Sequence, residues 1–207
     1  MSEQIINALR SGDAQAALEL ANALLEQAPQ NPEAHYWLAL SHKGLGDNVA
    51  ALAAIDKAIE MAPERNDFTM IRSIIQLGDK DLGAAQAGLM DTLALNPNQI
   101  EAYVVLIHIA LAQKNIPEAR RLLRLVERVN ADSEHVQLAK GAVLQAEGDL
   151  DEALKHFTRA SEINPSNPLA LSSLGMLYLA KDMPAFAEQA LTRAYALAPG
   201  NIVILRG

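Results

Sequence analysis

The side chains with the greatest capacity for chemistry are five histidines, His35, His42, His108, His135 and His156, and one run of arginines, Arg120, Arg121, Arg124 and Arg128. Histidine ligates metals and moves protons near neutral pH. His35 and His42 stand seven residues apart, two helical turns rather than the four-residue spacing that brings two imidazoles to one ion, so no metal site is expected. The absence of cysteine removes thiol catalysis and disulfides and leaves the redox compartment open. No glycine-rich phosphate loop, nucleophile elbow or paired-carboxylate motif is present, and Gly44, Gly46, Gly78 and Gly83 fall at turns. The expectation is no catalytic residue and no cofactor. The arginines recur at helical spacing beside Glu118 and Glu127, which reads as a solvated helix face ahead of a phosphate or nucleic-acid site.

Composition narrows the partners. Of the 207 residues half are apolar, only 4% are aromatic, and the formal charge is −8. Abundant Ala and Leu suit close helix-to-helix packing. The negative charge opposes capture by nucleic acid or anionic lipid, both of which depend on clustered Lys and Arg. No run of 18 apolar residues predicts a membrane-spanning helix, and the start, Met-Ser-Glu-Gln-Ile-Ile-Asn, lacks the pattern of a secretory signal. A cytoplasmic address is therefore expected.

The elements that position these groups are set by a period of 34 residues. Ala17, Ala51, Ala85, Ala119, Ala153 and Ala187 form one column at that spacing, and Pro29, Pro63, Pro97, Pro165 and Pro199 a second. Gly12, Gly46 and Gly148 form a third, each followed by Asp (Asp13, Asp47, Asp149), with Asp81 and Asn115 in the second place of two other units. Within Pro168 to Asn201 the apolar residues recur at helical spacing up to a break near Lys181 to Pro184, then again from Phe186 to Leu197. Each unit is thus a helical hairpin, closed by a proline that no helix interior tolerates. The column alanines are predicted where a larger side chain would force the paired helices apart. Repeats of this length build helical solenoids, which recognise other chains more often than they transform small molecules.

The combination Leu174, Gly175, Tyr178, Ala187, Leu191 and Pro199 resembles the signature of the tetratricopeptide repeat family. The match is as good in Leu38, Ala39, Gly46, Ala51, Ile55, Ala58 and Pro63, and in Gly141, Leu144, Ala153, Phe157, Ala160 and Pro165. Arg72 stands where Leu is usual, Thr92 where Ala is usual and Ala131 where Pro is usual, so the third and fourth units match least well. The register predicts one all-α domain over 1–207 with units 1–31, 32–65, 66–99, 100–133, 134–167 and 168–201, and 202–207 opening a seventh.

The resemblance implies a right-handed superhelix whose concave groove is lined by the first helix of each hairpin and holds a peptide or helix of a partner. Carried over residue by residue, the groove positions are Tyr36, Leu40, Lys43, Asp67, Met70, Ile74, Leu77, Glu101, Val104, His108, Leu111, His135, Leu138, Gln145, Ser172 and Met176. Most are apolar, as a protein-binding strip would be, although such residues also pack between adjacent first helices. The Lys, Asn and Arg clamp with which family members hold acidic chaperone tails is replaced here by Tyr36, Leu40, Met70, Ile74, Ile71, Glu101 and Val105. Glu33, Asp67 and Glu101 fall on one rim, where they favour the helix dipole and would also suit a partner with basic residues beside its apolar anchors. His108 and His135 are expected in the groove, and His42, in place of a packing tyrosine, in a structural role.

Two functions fit: a non-enzymatic scaffold that grips a partner protein, or the recognition arm of a longer sulfotransferase- or glycosyltransferase-type enzyme with its catalytic domain beyond Gly207. Ile202 to Leu205 begin a further apolar helix, which suggests a longer natural chain or a homodimer through Tyr178, Leu179, Tyr195 and Ile202.

Overall fold

The computed structural model describes residues 1–78 and 80–198. Twelve helices account for the described residues, with no strand among them: α1 (Ser2–Arg10), α2 (Ala14–Gln27), α3 (Pro32–Gly44), α4 (Asn48–Met61), α5 (Asn66–Gly78), α6 (Leu82–Leu95), α7 (Ile100–Ala112), α8 (Ile116–Asn130), α9 (Glu134–Glu147), α10 (Leu150–Ile163), α11 (Pro168–Ala180) and α12 (Pro184–Leu197). They form two compact units, Met1–Ala102 and Tyr103–Gly207. In the first, α1 packs on α2, α3 on α4 and α5 on α6; in the second, α9 packs on α10 and α11 on α12.

Each hairpin turn is built by two adjacent columns. The first column, at Gly12, Gly46, Lys80, Lys114, Gly148 and Asp182, has positive φ in every unit. That backbone is free for glycine, whereas L side chains meet their own carbonyl there at a cost of roughly 1–2 kcal/mol. The second column caps the helix that follows. Asp13, Asp47, Asp81, Asn115 and Asp149 each accept a hydrogen bond from the amide three residues on, satisfying a donor that helical geometry leaves free, whereas Met183 makes no side-chain cap.

The prolines act one residue upstream. A proline ring disfavours helical backbone in the residue before it, and Ala28, Ala62, Asn96 and Asn164 accordingly leave the helix with ψ of 72°, 73°, 92° and 90°. Ala131 imposes no such restriction, so α8 continues through Asn130 and has 15 residues where α2, α4, α6 and α10 have 14. A side chain takes over the anchoring of this junction: Gln137, itself buried, donates to the Ala131 carbonyl at 2.8 Å and accepts from His156 Nδ1 at 2.7 Å.

All six column alanines are buried. The helices approach so closely that a Cβ on Gly141 would lie 2.5 Å from the Phe157 ring, and one on Gly175 2.5 Å from Leu191 Cγ. The other departures from the repeat pattern are compensated locally. Arg72 remains half-exposed, and its Nε donates to Asp56 at 2.7 Å. Thr92 is buried, with its hydroxyl donating to the Gly88 carbonyl at 2.9 Å, which removes the penalty of an unpaired buried donor.

Candidate protein-interaction site

Side chains at 34-residue spacing on the first helices, α3, α5, α7, α9 and α11, form four columns. In Met1–Ala102 the successive first helices touch, α1 against α3 and α3 against α5, so their columns lie side by side. Tyr36, Leu40, Met70, Ile74 and Leu77 are all half-buried there: held by neighbours on one flank, open to water on the other. Lys43 is exposed. Tyr36 stacks on Phe68 with ring centroids 5.2 Å apart and meets Trp37 edge-on at 4.9 Å. Burial, reinforced by the charge of Asp67, raises the pKa of the Tyr36 hydroxyl.

One feature of this face was not anticipated from the sequence. Arg65, in the turn before α5, donates from Nε to Asp67 at 2.9 Å and from Nη2 at 2.7 Å, a two-pronged pair, with Nη1 3.6 Å from Glu33. Its guanidinium also lies 4.4 Å from the centre of the Phe68 ring, a cation–π arrangement. The rim acids Glu33 and Asp67 are thus already partnered within the chain, and the Arg65 hydrogen bonds hold the Asp67 carboxyl below its ordinary pKa. Glu101 is exposed and accepts from Gln99 Nε2 at 3.0 Å. A signal was available: the N-cap column reads Asn31, Arg65, Gln99, Ser133, Asn167, and Arg65 alone in it bears a positive charge.

In Tyr103–Gly207 the same columns are filled differently. Val104, Leu138 and Ser172, the counterparts of Tyr36 and Met70, are buried. Of the expected groove residues, these three turn inward. They are small or branched residues that withdraw from water into the packing and leave little open surface. The surface of this unit comes from the neighbouring columns: His108, His135, Gln145, Met176, Leu169 and Leu179 are exposed and Leu111 is half-buried. Although part of His108 stays open to water, its neighbours remove enough hydration from the imidazole to lower its pKa.

The remaining histidines are not assembled into a ligand set, and no group of three or more His, Asp or Glu residues among the described residues is placed to hold a metal. His35 is buried and His42 Nδ1 is 3.9 Å from Asp47. At the last hairpin, Leu179 and Tyr195 are exposed and Tyr178 lies 5.4 Å from the Phe186 ring, while Ile202 to Leu205 fall outside the described residues. No helix among the described residues is long and apolar enough to cross a membrane.

Family models described as tetratricopeptide repeat match residues 3–66 and 38–90, 76–143, and 132–199. A curated peroxisomal targeting signal receptor from Candida glabrata is 31% identical over 83 residues, which is 40% of this chain and 14% of the receptor. Among solved structures, a chain of the APC/C hetero-tetramer Cut9–Hcn1 superposes with a TM-score of 0.81 at 16% identity, over 97% of this chain and 40% of that one. YrrB, titled a TPR protein with an unusual peptide-binding site, gives 0.54 at 20% identity over 91% of this chain and 97% of its own. The present chain thus spans a small part of the receptor and under half of the Cut9–Hcn1 chain. With repeat models matching nearly from end to end and twelve helices in hairpin register, the fold is a helical repeat solenoid of about six repeats, and the chain belongs to the tetratricopeptide repeat family.

Proposed function

We propose that this chain is a non-enzymatic interaction module, and that the first-helix face of each unit receives a peptide or helix from a partner protein. The observation that carries the reading is the half-buried apolar set Tyr36, Leu40, Met70 and Ile74 on the adjacent helices α3 and α5. Neighbours fix these side chains in place, so burying their open flanks costs little further conformational entropy. The partner segment is apolar with some basic residues. In the first unit its anchors meet this strip and its positive charges meet exposed Glu101; in the second unit, taken by itself, apolar anchors meet Leu111, Leu169, Met176 and Leu179.

Screening a displayed peptide library against the wild-type protein, followed by titration of the selected peptides, tests this. Met70→Glu and Leu111→Glu, each in its own unit, are expected to weaken the peptides selected for that unit by about tenfold or more, because a carboxylate forced against an apolar anchor loses its hydration. Arg124→Ala, on a second helix, is expected to leave those affinities unchanged. Loss of binding in Arg124→Ala with full binding in both glutamate variants would overturn the assignment.

A further inference from the structure

Helix α8 is the one helix among the twelve with a positive balance, four arginines against Glu118 and Glu127, in a chain whose net charge is −8. Its apolar face, Ala119, Leu122, Leu123 and Val126, is buried, which leaves the arginines on the outside. They are not equivalent. Arg121 is spent on a two-pronged pair with Glu118, both distances 2.7 Å. Arg120 reaches across to the end of α9, where Glu147 accepts from its Nε at 2.8 Å and lies 2.6 Å from Nη2. Arg124 is exposed and has no charged partner among the described residues.

Between them lies a cleft of about 560 Å³, lined by Ile116, Pro117, Arg120, Arg124 and Glu147. Its lining combines the apolar Ile116 and Pro117 with an orphan guanidinium and a second that Glu147 has already engaged. We infer that this cleft docks an acidic segment of a partner protein, an apolar side chain seated on Ile116 and Pro117 and a carboxylate paired with Arg124. Two surface features decide the ligand class. Glu118, Glu127 and Glu147 interrupt the positive stripe, so it cannot track a phosphate backbone, and the lining offers no aromatic ring on which a base could stack. A carboxylate, by contrast, matches the fork of a single unpaired arginine. The inference is independent of the first-helix reading, since it uses other residues on a second helix and a partner of opposite charge. Together the two faces would let one chain hold two partners at once.

The probe is a fluorescently labelled peptide of alternating glutamate and leucine, titrated by anisotropy against the full chain, with its glutamine counterpart and a single-stranded oligodeoxynucleotide alongside. The glutamate peptide is expected to bind saturably and to weaken as salt rises. Arg124→Ala is expected to reduce its affinity about tenfold, Arg124→Glu to abolish binding, and Arg193→Ala, at an exposed arginine of α12 outside both faces, to leave it unchanged. Arg124 is exposed, so both variants should keep the wild-type denaturation midpoint. No binding to the wild type, equal affinity for wild type and both Arg124 variants, or equal affinity for the glutamine peptide would each overturn the inference. Tighter, Arg124-dependent binding of the oligonucleotide would overturn it in favour of a nucleic acid.

Discussion

The units Met1–Ala102 and Tyr103–Gly207 are written in the same repeat but spend it differently. Where the first has Tyr36 and Met70 half-open to water, the second buries Val104, Leu138 and Ser172. The first sets acids on its rim and answers them with Arg65; at the corresponding places the second has His135 and Leu169. The first closes its hairpins with Pro29, Pro63 and Pro97, whereas the second replaces one proline with Ala131 and recovers the anchorage through Gln137. A repeat therefore dictates where helices start and which small residues lie between them. It does not dictate which flank of a first helix stays wet, because that depends on the size of one or two side chains per turn.

The largest effect should come where both units obey the packing rule most strictly. Gly141→Ala, in the second unit, would place its Cβ 2.5 Å from the Phe157 ring, and overpacking of a filled contact costs about 1–3 kcal/mol. Ala153→Leu, in the same hairpin, belongs to that class. Neither should matter on an exposed face, so Gln145→Ala serves as the control. Urea denaturation followed by circular dichroism would show it, and midpoints equal to wild type would remove close helix contact as the reason for the small residues.

The turns sharpen the comparison. Gly46 in the first unit and Lys114 in the second occupy the same column with φ of 80° and 57°. A Cβ on Gly46 would meet nothing within 4 Å, so any change there reports backbone strain alone. Gly46→Ala is expected to cost about 1 kcal/mol and Lys114→Gly to gain about 0.5–1 kcal/mol, opposite signs from one conformation, with the gain reduced by the entropy of glycine in the unfolded chain. Two losses would show that the lysine side chain contributes more than its strained backbone costs.

The difference between the units also marks how far the sequence could be read. Helix starts at residues 32, 66, 100, 134 and 168 follow from the period, as do the buried alanines, because each is a local rule repeated; the capping role of the Asp and Asn column emerges only with the structure. The site residues are another matter. Tyr36 and Ser172 share a column, yet one is accessible and the other is not, a consequence of how deeply each helix beds against its neighbours. Arg65 pairs with Glu33, 32 positions earlier, through a guanidinium whose reach no spacing rule encodes. The cleft beside Arg124 depends likewise on α8 and the end of α9 being brought together. Charge patterning in the sequence identified the arginines as a solvated face, but not which of them lacked a partner.

The smallest expected effect tests the electrostatic half of the contrast. Asp67 titrates below its ordinary value chiefly because Arg65 donates two hydrogen bonds to its charged form, and desolvation opposes this only in part. A carboxyl whose folded pKa is depressed adds stability above its unfolded pKa, about 3.9, and that stability is lost as pH falls through the folded value. Asp67→Asn should therefore unfold at lower urea than wild type at neutral pH, and the gap should close on acidification below about pH 4. With side chains 39% and 43% exposed, solvent and salt screen the pair, so the neutral-pH difference is expected to be below about 1 kcal/mol and to shrink in high salt. Leu169→Asn, at the same column of the second unit, removes no charge and should show no such pH dependence. A gap of equal size at acidic and neutral pH would mean that Asp67 contributes through packing or its helix-end position, and that the two rims differ in shape rather than in charge.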